Sequence, residues 1–175
     1  MLIAEPRGLP GDSWRWLLVS LMILVAAVGT WQLWADEVRV VRARIDAAAA
    51  ALTPPQGEPD MQRIVRIAGL AKLLAPDVVV TPELGGPEVR GRETVAGLAA
   101  QLSGTAGIRK VSVREAKITF DDTKTRATVA ARFDVATADR PEPREDDAEP
   151  VTMELRKIDG QWLIAKALRE PILTR

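Results

Sequence analysis

An uncharged apolar run near the N-terminus is the strongest constraint on this chain. Residues 16–34 read WLLVSLMILVAAVGTWQLW and contain no Asp, Glu, Lys or Arg. A helix of about 20 apolar residues spans the roughly 30 Å hydrocarbon core of a bilayer. We therefore expect a transmembrane helix over residues 14–35, after a short tail over residues 1–13. Tryptophans lie at both ends of this helix, as in an aromatic belt at the membrane–water interfaces: Trp14, Trp16, Trp31 and Trp34.

A cleaved signal peptide is the alternative interpretation of the run. The run is longer than a usual signal-peptide core, and no small-residue cleavage site precedes a polar mature start. Arginines lie on both sides of the run, so the positive-inside rule gives no orientation. A short tail, one helix and a C-terminal domain are the usual outcome of signal-anchor insertion. We therefore expect a single-pass protein of the cell (inner) membrane, with its C-terminal domain in the periplasm or its equivalent.

A helical stalk is predicted to follow the anchor over residues 36–52, because Ala and Arg favour helices and no Gly or Pro interrupts the stretch. Apolar residues at alternating spacings of four and three form one face of it, beginning at the end of the anchor: Trp34, Val38, Val41, Ile45, Ala48 and Leu52. This face could pack on the chain's own domain, or it could contact a second helix in a homodimer or a larger complex. The sequence TPPQGEP over residues 53–59 predicts a semi-rigid linker.

Composition excludes several classes of function. The chain has 175 residues, with 24 Lys+Arg balancing 24 Asp+Glu, so it lacks the basic surface of a nucleic-acid-binding protein. It contains no His, Cys or Tyr. These absences remove the usual general base, thiolate nucleophiles and the commonest metal ligands. We expect no catalytic residues, no metal site and no cofactor.

Residues 60–175 are predicted to form one α+β domain. Apolar stripes indicate helices over residues 60–74, with Asp60 as the cap, and 91–102, with a short strand over 78–81 between them. Alternating patterns then predict antiparallel strands: residues 110–120 with a bulge near Glu115–Ala116, 127–135, 151–156 and a last strand that carries Trp162. Asp159–Gly160 is a strong hairpin signal. The expected architecture is a cone-shaped arrangement of helices packed on a curved antiparallel sheet.

Three segments of this domain resemble a known family: Asp77–Val78–Val79–Val80, Gly91–Arg92–Glu93 and Asp159–Gly160–Gln161–Trp162–Leu163–Ile164. They are similar to the SnoaL-like branch of the nuclear transport factor two-like superfamily, over about residues 60–170. The resemblance implies a pocket between the concave sheet and the helices. Family enzymes place Asp–His or Tyr–His pairs there, so the resemblance carries no catalytic residue onto this chain. Tethered relatives, such as components of type IV secretion and Mce-associated membrane proteins, act as assembly parts.

Four large apolar side chains are candidates for lining that pocket, although residues at strand spacing are more often core: Phe120, Phe133, Met153 and Trp162. Aspartates beside turns are interpreted as backbone caps rather than acid–base groups: Asp77, Asp121 and Asp122. Asp134, on the face of Arg132, is expected to form cross-strand ion pairs on a solvated surface, with Glu154 and Arg156 as neighbours. The acidic, Pro-rich stretch 139–150 is interpreted as a solvated loop.

The expected function follows from the anchor and the missing residue types. We expect a non-catalytic, membrane-anchored accessory subunit of a larger complex, in secretion, transport, respiration or photosynthesis. Its partners would be the lipid bilayer, other membrane protein subunits and a second copy in a homodimer. The alternative is a membrane-tethered binder of a small apolar ligand in the pocket of the cone.

Overall fold

The computed structural model describes residues 36–82, 86–105, 107–142 and 148–170. The chain divides into two compact units, Met1–Val38 and Arg39–Arg175. Residues 36–38, the described part of the first unit, are helical. Within the described ranges, no helix has both the length and the apolar character needed to cross a membrane. The predicted membrane helix over 14–35 lies outside these ranges, together with Trp14, Trp16, Trp31 and Trp34.

Three helices and six strands make up the described part of the chain. The first helix, α1, covers residues 36–52. The other elements follow in chain order: α2 (Asp60–Leu73), β1 (Leu74–Thr81), β2 (Val89–Arg90), α3 (Arg92–Thr105), β3 (Ile108–Phe120), β4 (Arg126–Thr137), β5 (Glu149–Ile158) and β6 (Gln161–Arg169).

The six strands form one mixed sheet in the order β2-β1-β6-β5-β4-β3. Neighbours pair antiparallel except for β1 and β6, which run parallel. The prediction of an antiparallel sheet is therefore wrong in this one pairing. The cause is topological: β1 comes before α3 in the chain and joins the sheet beside the last strand, which runs in the same direction. The result is an α+β fold in which helices pack on a curved mixed sheet.

Local sequence signals determine the long β3–β4–β5–β6 meander. The register of β3 on β4 shifts between Val113 and Ala116, where the bulge was expected. Asp159 (φ 49°) and Gly160 (φ 76°) both adopt left-handed backbone angles between β5 and β6. Two such residues in sequence are what a tight hairpin matching the strand twist requires. Along β4, buried Ala127, Val129 and Ala131 alternate with exposed residues.

Two local predictions around α2 need correction. Asp60 is the first residue of the helix, not its cap; the position before it is Pro59, which makes no side-chain cap hydrogen bond. Asp60 instead pairs with Arg63 one turn later. The segment Ala75–Pro76–Asp77 lies within β1, which begins at Leu74 and not at the predicted residue 78. Its pairing with β6 is irregular between Leu74 and Val79, and such an irregularity accommodates a proline that has no N–H to donate.

One hydrophobic cluster joins the helices to the sheet. The sheet contributes Leu155, Val129 and Trp162, each at most 1% exposed. Each of the three helices contributes buried side chains: Val41, Ile45 and Ala48 from α1, Leu70 from α2, and Val95 and Ala99 from α3. The first helix, predicted as a stalk, is therefore part of the domain from residue 39 onward.

Candidate functional site

The four residues predicted to line a pocket lie in the hydrophobic cluster. Met153 and Trp162 are buried, while Phe120 and Phe133 are partly buried against them. The rings of Phe120 and Trp162 meet at a tilt, with their centroids 5.6 Å apart. Lys157 makes a cation–π contact with the same indole, with its Nζ 5.6 Å from the ring centroid. These four residues therefore belong to the hydrophobic core, which is the second of the two interpretations given for them from the sequence.

The apolar face of α1 packs into this same cluster. Val41 and Ile45 are 0% exposed, and Leu52 is partly buried against the core. Val38 is 37% exposed. Two alternatives were left open for this face, and Val41, Ile45 and Leu52 follow the first: they pack on the chain's own domain. These three residues are consequently not available to a partner helix in this structure.

Polar contacts from Arg42 of α1 and from Thr53, directly after the helix, fix α1 to the edge strand β3. The Thr53 hydroxyl accepts from the backbone N–H of Val111 at 2.8 Å and also lies 3.3 Å from the carbonyl oxygen of that residue. Arg42 donates to the carbonyl oxygen of Val113 at 3.4 Å. An unpaired strand edge is a template for association with other chains. Here α1 occupies part of the free edge of β3.

An ion pair that the sequence did not reveal joins the linker to α2. The Nε and Nη2 atoms of Arg66 donate to the two carboxylate oxygens of Glu58 at 2.7 and 2.8 Å. Both side chains are largely buried, with 11% and 7% exposure. Arg66 also donates to the carbonyl oxygen of Ala51 near the end of α1. The hydrogen bond from Arg66 lowers the pKa of Glu58 below its usual value and outweighs the opposing effect of burial.

Asp134 forms a cross-strand ion pair as expected, with Arg114 of β3, but it does not lie on the predicted solvated surface. The residue is 7% exposed, and its Oδ2 accepts from Nε of Arg114 at 2.7 Å. Its Oδ1 is buried without a hydrogen-bond partner. The partner comes from the bulged part of β3, which re-aims Arg114 toward β4. Strand alternation places Asp134 on the face opposite Phe133, so this carboxylate does not enter the apolar cluster.

The predicted turn aspartates have different surroundings. Asp121 accepts hydrogen bonds from the Thr123 hydroxyl at 2.7 Å and from the backbone N–H groups of Thr125 and Arg126 at 2.9 and 3.0 Å. These donors, with Thr123 first, lower the pKa of Asp121 to about 2. Asp77 pairs with Arg156 of β5 instead of capping a backbone group. Asp122 is exposed.

Two open depressions lie away from the predicted pocket residues. One, of about 490 Å³, lies over Ala130 of the sheet and is bordered by charged side chains that include Lys117, Arg132 and Glu170. The other, of about 410 Å³, lies between α2 and α3 and is mostly apolar. Across the described residues, no group of three or more acidic side chains is placed to hold a metal ion. Residues 143–147 of the acidic stretch lie outside the described ranges.

The fold is shared with solved structures of very different sequence. An NTF2-like protein with a cystatin-like fold from Novosphingobium aromaticivorans superposes with a TM-score of 0.64 at 12% identity, covering 85% of this chain and 90% of that one. A cystatin-like domain of unknown function from Nostoc punctiforme gives 0.60 at 18% identity, covering 79% of each chain.

A third similar structure carries the name of an enzyme. It is a provisionally named scytalone dehydratase from Novosphingobium aromaticivorans, with a TM-score of 0.58, 18% identity, and coverage of 78% of this chain and 84% of that one. No family model and no curated protein matches the sequence. Structural likeness at these identities establishes the fold and not the activity. The chain therefore shares the cystatin-like, NTF2-like fold of these structures, which is the fold that the sequence resemblance implied.

Proposed function

We propose that this chain is a single-pass, membrane-anchored, non-catalytic accessory subunit of a larger membrane protein complex. The uncharged run over residues 16–34 supports the anchor, because an apolar helix of that length spans the hydrocarbon core of a bilayer. The NTF2-like domain would then contact other subunits on the periplasmic side. This placement rests on the usual outcome of signal-anchor insertion and on the outward-facing tethered proteins that the sequence resembles.

The observation that carries the proposal is the apolar filling of the cone. Val41 and Ile45 of α1 pack in one cluster with Met153 and Trp162, where the resemblance implied a pocket. A general acid–base site needs polar side chains within hydrogen-bond reach of a substrate. Among the described residues, Thr81 and Asp134 are the polar or charged ones that are buried as whole residues, and the shielded carboxylate of Glu58 is paired with Arg66.

The case against catalysis rests on these side chains and not on the fold, since one structural neighbour is named as a dehydratase. Asp134 is paired with Arg114 and lies on the face opposite the apolar cluster. The sequence supplies no His, Cys or Tyr anywhere to complement a carboxylate. A carboxylate-only site would need an Asp or Glu whose pKa is raised toward neutrality. The pKa of Glu58 and that of Asp121 are lowered rather than raised.

Co-purification from membranes tests the proposal. The full chain with a C-terminal affinity tag is extracted in a mild detergent, and the bound proteins are identified and quantified. We expect other membrane proteins at a fixed ratio to the tagged chain. A variant that lacks residues 1–35 is the matched control, and it should lose the partners that contact the anchor. Recovery of the full chain without any stoichiometric protein would contradict the subunit role.

A further inference from the structure

Helix α2 exposes an unusual amount of apolar surface for a helix of a folded domain. Only Leu70 among its 14 residues is buried. Met61, Ile64 and Val65 are 71%, 62% and 66% exposed. Together with Ala68 they share one helix face, because residues three and four apart are neighbours on a helix. A cluster of exposed apolar side chains marks an interaction surface more often than isolated ones do.

An apolar groove runs directly beside these protruding side chains. It lies between α2 and α3, has a volume of about 410 Å³, and is lined mostly by apolar residues, together with the charged side chains of Arg63 and Glu93. Its small lining residues are Ala68 and Ala71 of α2, and Ala96, Gly97 and Ala100 of α3. The protrusions and the groove are adjacent parts of one surface. That is the arrangement a two-fold interface requires, since each copy then inserts its side chains into the groove of the other.

The charges at the two ends of α2 fit a second copy in antiparallel orientation. Asp60 lies in the first turn and Lys72 in the last turn. In an antiparallel pair centred near Val65 and Ala68, Asp60 of each copy approaches Lys72 of the other. The Asp60 carboxylate, which pairs with Arg63 of its own helix, is 86% exposed and can interact with Lys72 as well. The helix dipoles also oppose each other in that orientation, so opposite partial charges meet at both ends. A parallel pair would bring like charges together.

We propose that α2 and the α2–α3 groove form a homodimer interface, in which two copies of this chain pack their α2 helices antiparallel. The outer face of the sheet stays open in this dimer, so its charged depression over Ala130 is not part of the contact. The interface does not depend on the proposed accessory role, because self-association through α2 can occur whether or not other subunits bind.

Single-cysteine cross-linking tests the interface on the full chain in a mild detergent. The chain contains no Cys, so each variant carries one thiol. Val65→Cys places that thiol near the proposed two-fold axis, and a short bismaleimide should convert most of the protein to a covalent dimer. Ala130→Cys, exposed on the opposite side of the domain, is the matched control and should stay monomeric. Equal cross-linking of both variants, or cross-linking of Ala130→Cys alone, would overturn the proposal.

Dimer dissociation constants give a second, independent readout by sedimentation in the same detergent. Ile64→Asp should weaken the dimer at least about tenfold, because it places a charge in an apolar contact, and should leave the melting temperature unchanged. Gln62→Asp, exposed on α2 but off the apolar face, should change the constant by less than about twofold.

The antiparallel register is tested by exchanging the end charges. Lys72→Asp should weaken the dimer several-fold, and the double variant Asp60→Lys/Lys72→Asp should restore it. A chain that remains monomeric at all concentrations, because α2 contacts the bilayer or another protein instead, overturns the proposal. A double variant that is weaker than Lys72→Asp contradicts the antiparallel arrangement.

Discussion

Arg66 forms a bidentate ion pair with Glu58 that is almost entirely shielded from water, with N···O distances of 2.7 and 2.8 Å. Through its third contact, to the carbonyl oxygen of Ala51, the same guanidinium ties together α1, the linker and α2. The Pro-rich linker is thus fastened to the helices that it connects. Removing one partner of a buried pair leaves the other charged and unpaired, which is costly.

Arg66→Ala should lower the melting temperature of the domain by several degrees at neutral pH. Arg63→Ala is the matched control, because Arg63 pairs with Asp60, whose side chain is 86% exposed; it should cost little. The pKa of Glu58 is lowered from its ordinary 4.5 in the folded state, so the pair stabilises the fold above pH 4.5. That stability is lost as the pH falls through the lowered value. Thermal unfolding of both variants should be measured across this pH range. We expect the loss of melting temperature caused by Arg66→Ala to become smaller as the pH falls.

Ile45→Ala tests the placement of α1 in the core. Ile45 is 0% exposed, and removing its side-chain carbons leaves a cavity in the main hydrophobic cluster. We expect a loss of about 2–5 kcal/mol in the free energy of unfolding. Val40→Ala, on the exposed side of the same helix at 45%, should change it by less than about 0.5 kcal/mol. Equal small effects in denaturant titrations would show that α1 does not pack on the domain.

The turn after β3 should contain a carboxyl group that stays ionised in acid. The pKa of Asp121 is lowered to about 2, principally by the Thr123 hydroxyl. Its folded pKa lies below the ordinary value of 3.8, so this turn stabilises the fold above that pH and loses the contribution as the pH falls toward 2. NMR titration of the side-chain carboxyl should give the low value, and Thr123→Val should raise it. A titration midpoint near 3.8 in the unmodified chain would contradict the hydrogen-bonded turn.

Deleting residues 1–35 should release the chain from membranes without unfolding it. The unit from residue 39 onward has its own hydrophobic cluster, which includes α1. After an alkaline carbonate wash, the shortened chain should appear in the supernatant with a cooperative thermal transition, and the full chain should stay in the pellet. If the shortened chain also stays in the pellet, the run over 16–34 is not the sole anchor.

The sequence was most informative where one strand follows the next. The alternation of Ala127, Val129 and Ala131 identifies β4, and the left-handed turn at Asp159–Gly160 identifies the last hairpin. Both signals depend on residues close together in the chain. The parallel pairing of β1 with β6 joins segments separated in the chain by α3 and four strands, and no local pattern records it.

Sequence patterns also did not identify the partners of buried residues. The spacing of Val41 and Ile45 marks a buried helix face, but the same spacing suits the chain's own sheet and a second helix equally well. Arg66 and Glu58 belong to types that are seldom buried, so nothing distinguished them from solvent-exposed charges. Asp134 was misplaced because its partner, Arg114, is brought to it by an irregularity in β3.

Native mass spectrometry of the full chain, released from detergent after affinity purification, tests the central claim most directly. It reports in one spectrum the proteins and the small molecules bound to the chain. The account predicts assemblies with other membrane proteins at fixed stoichiometry, and a mass for this chain that equals its sequence mass. A chain that carries a stoichiometric small molecule and no other protein would contradict the account and support the ligand-binding alternative.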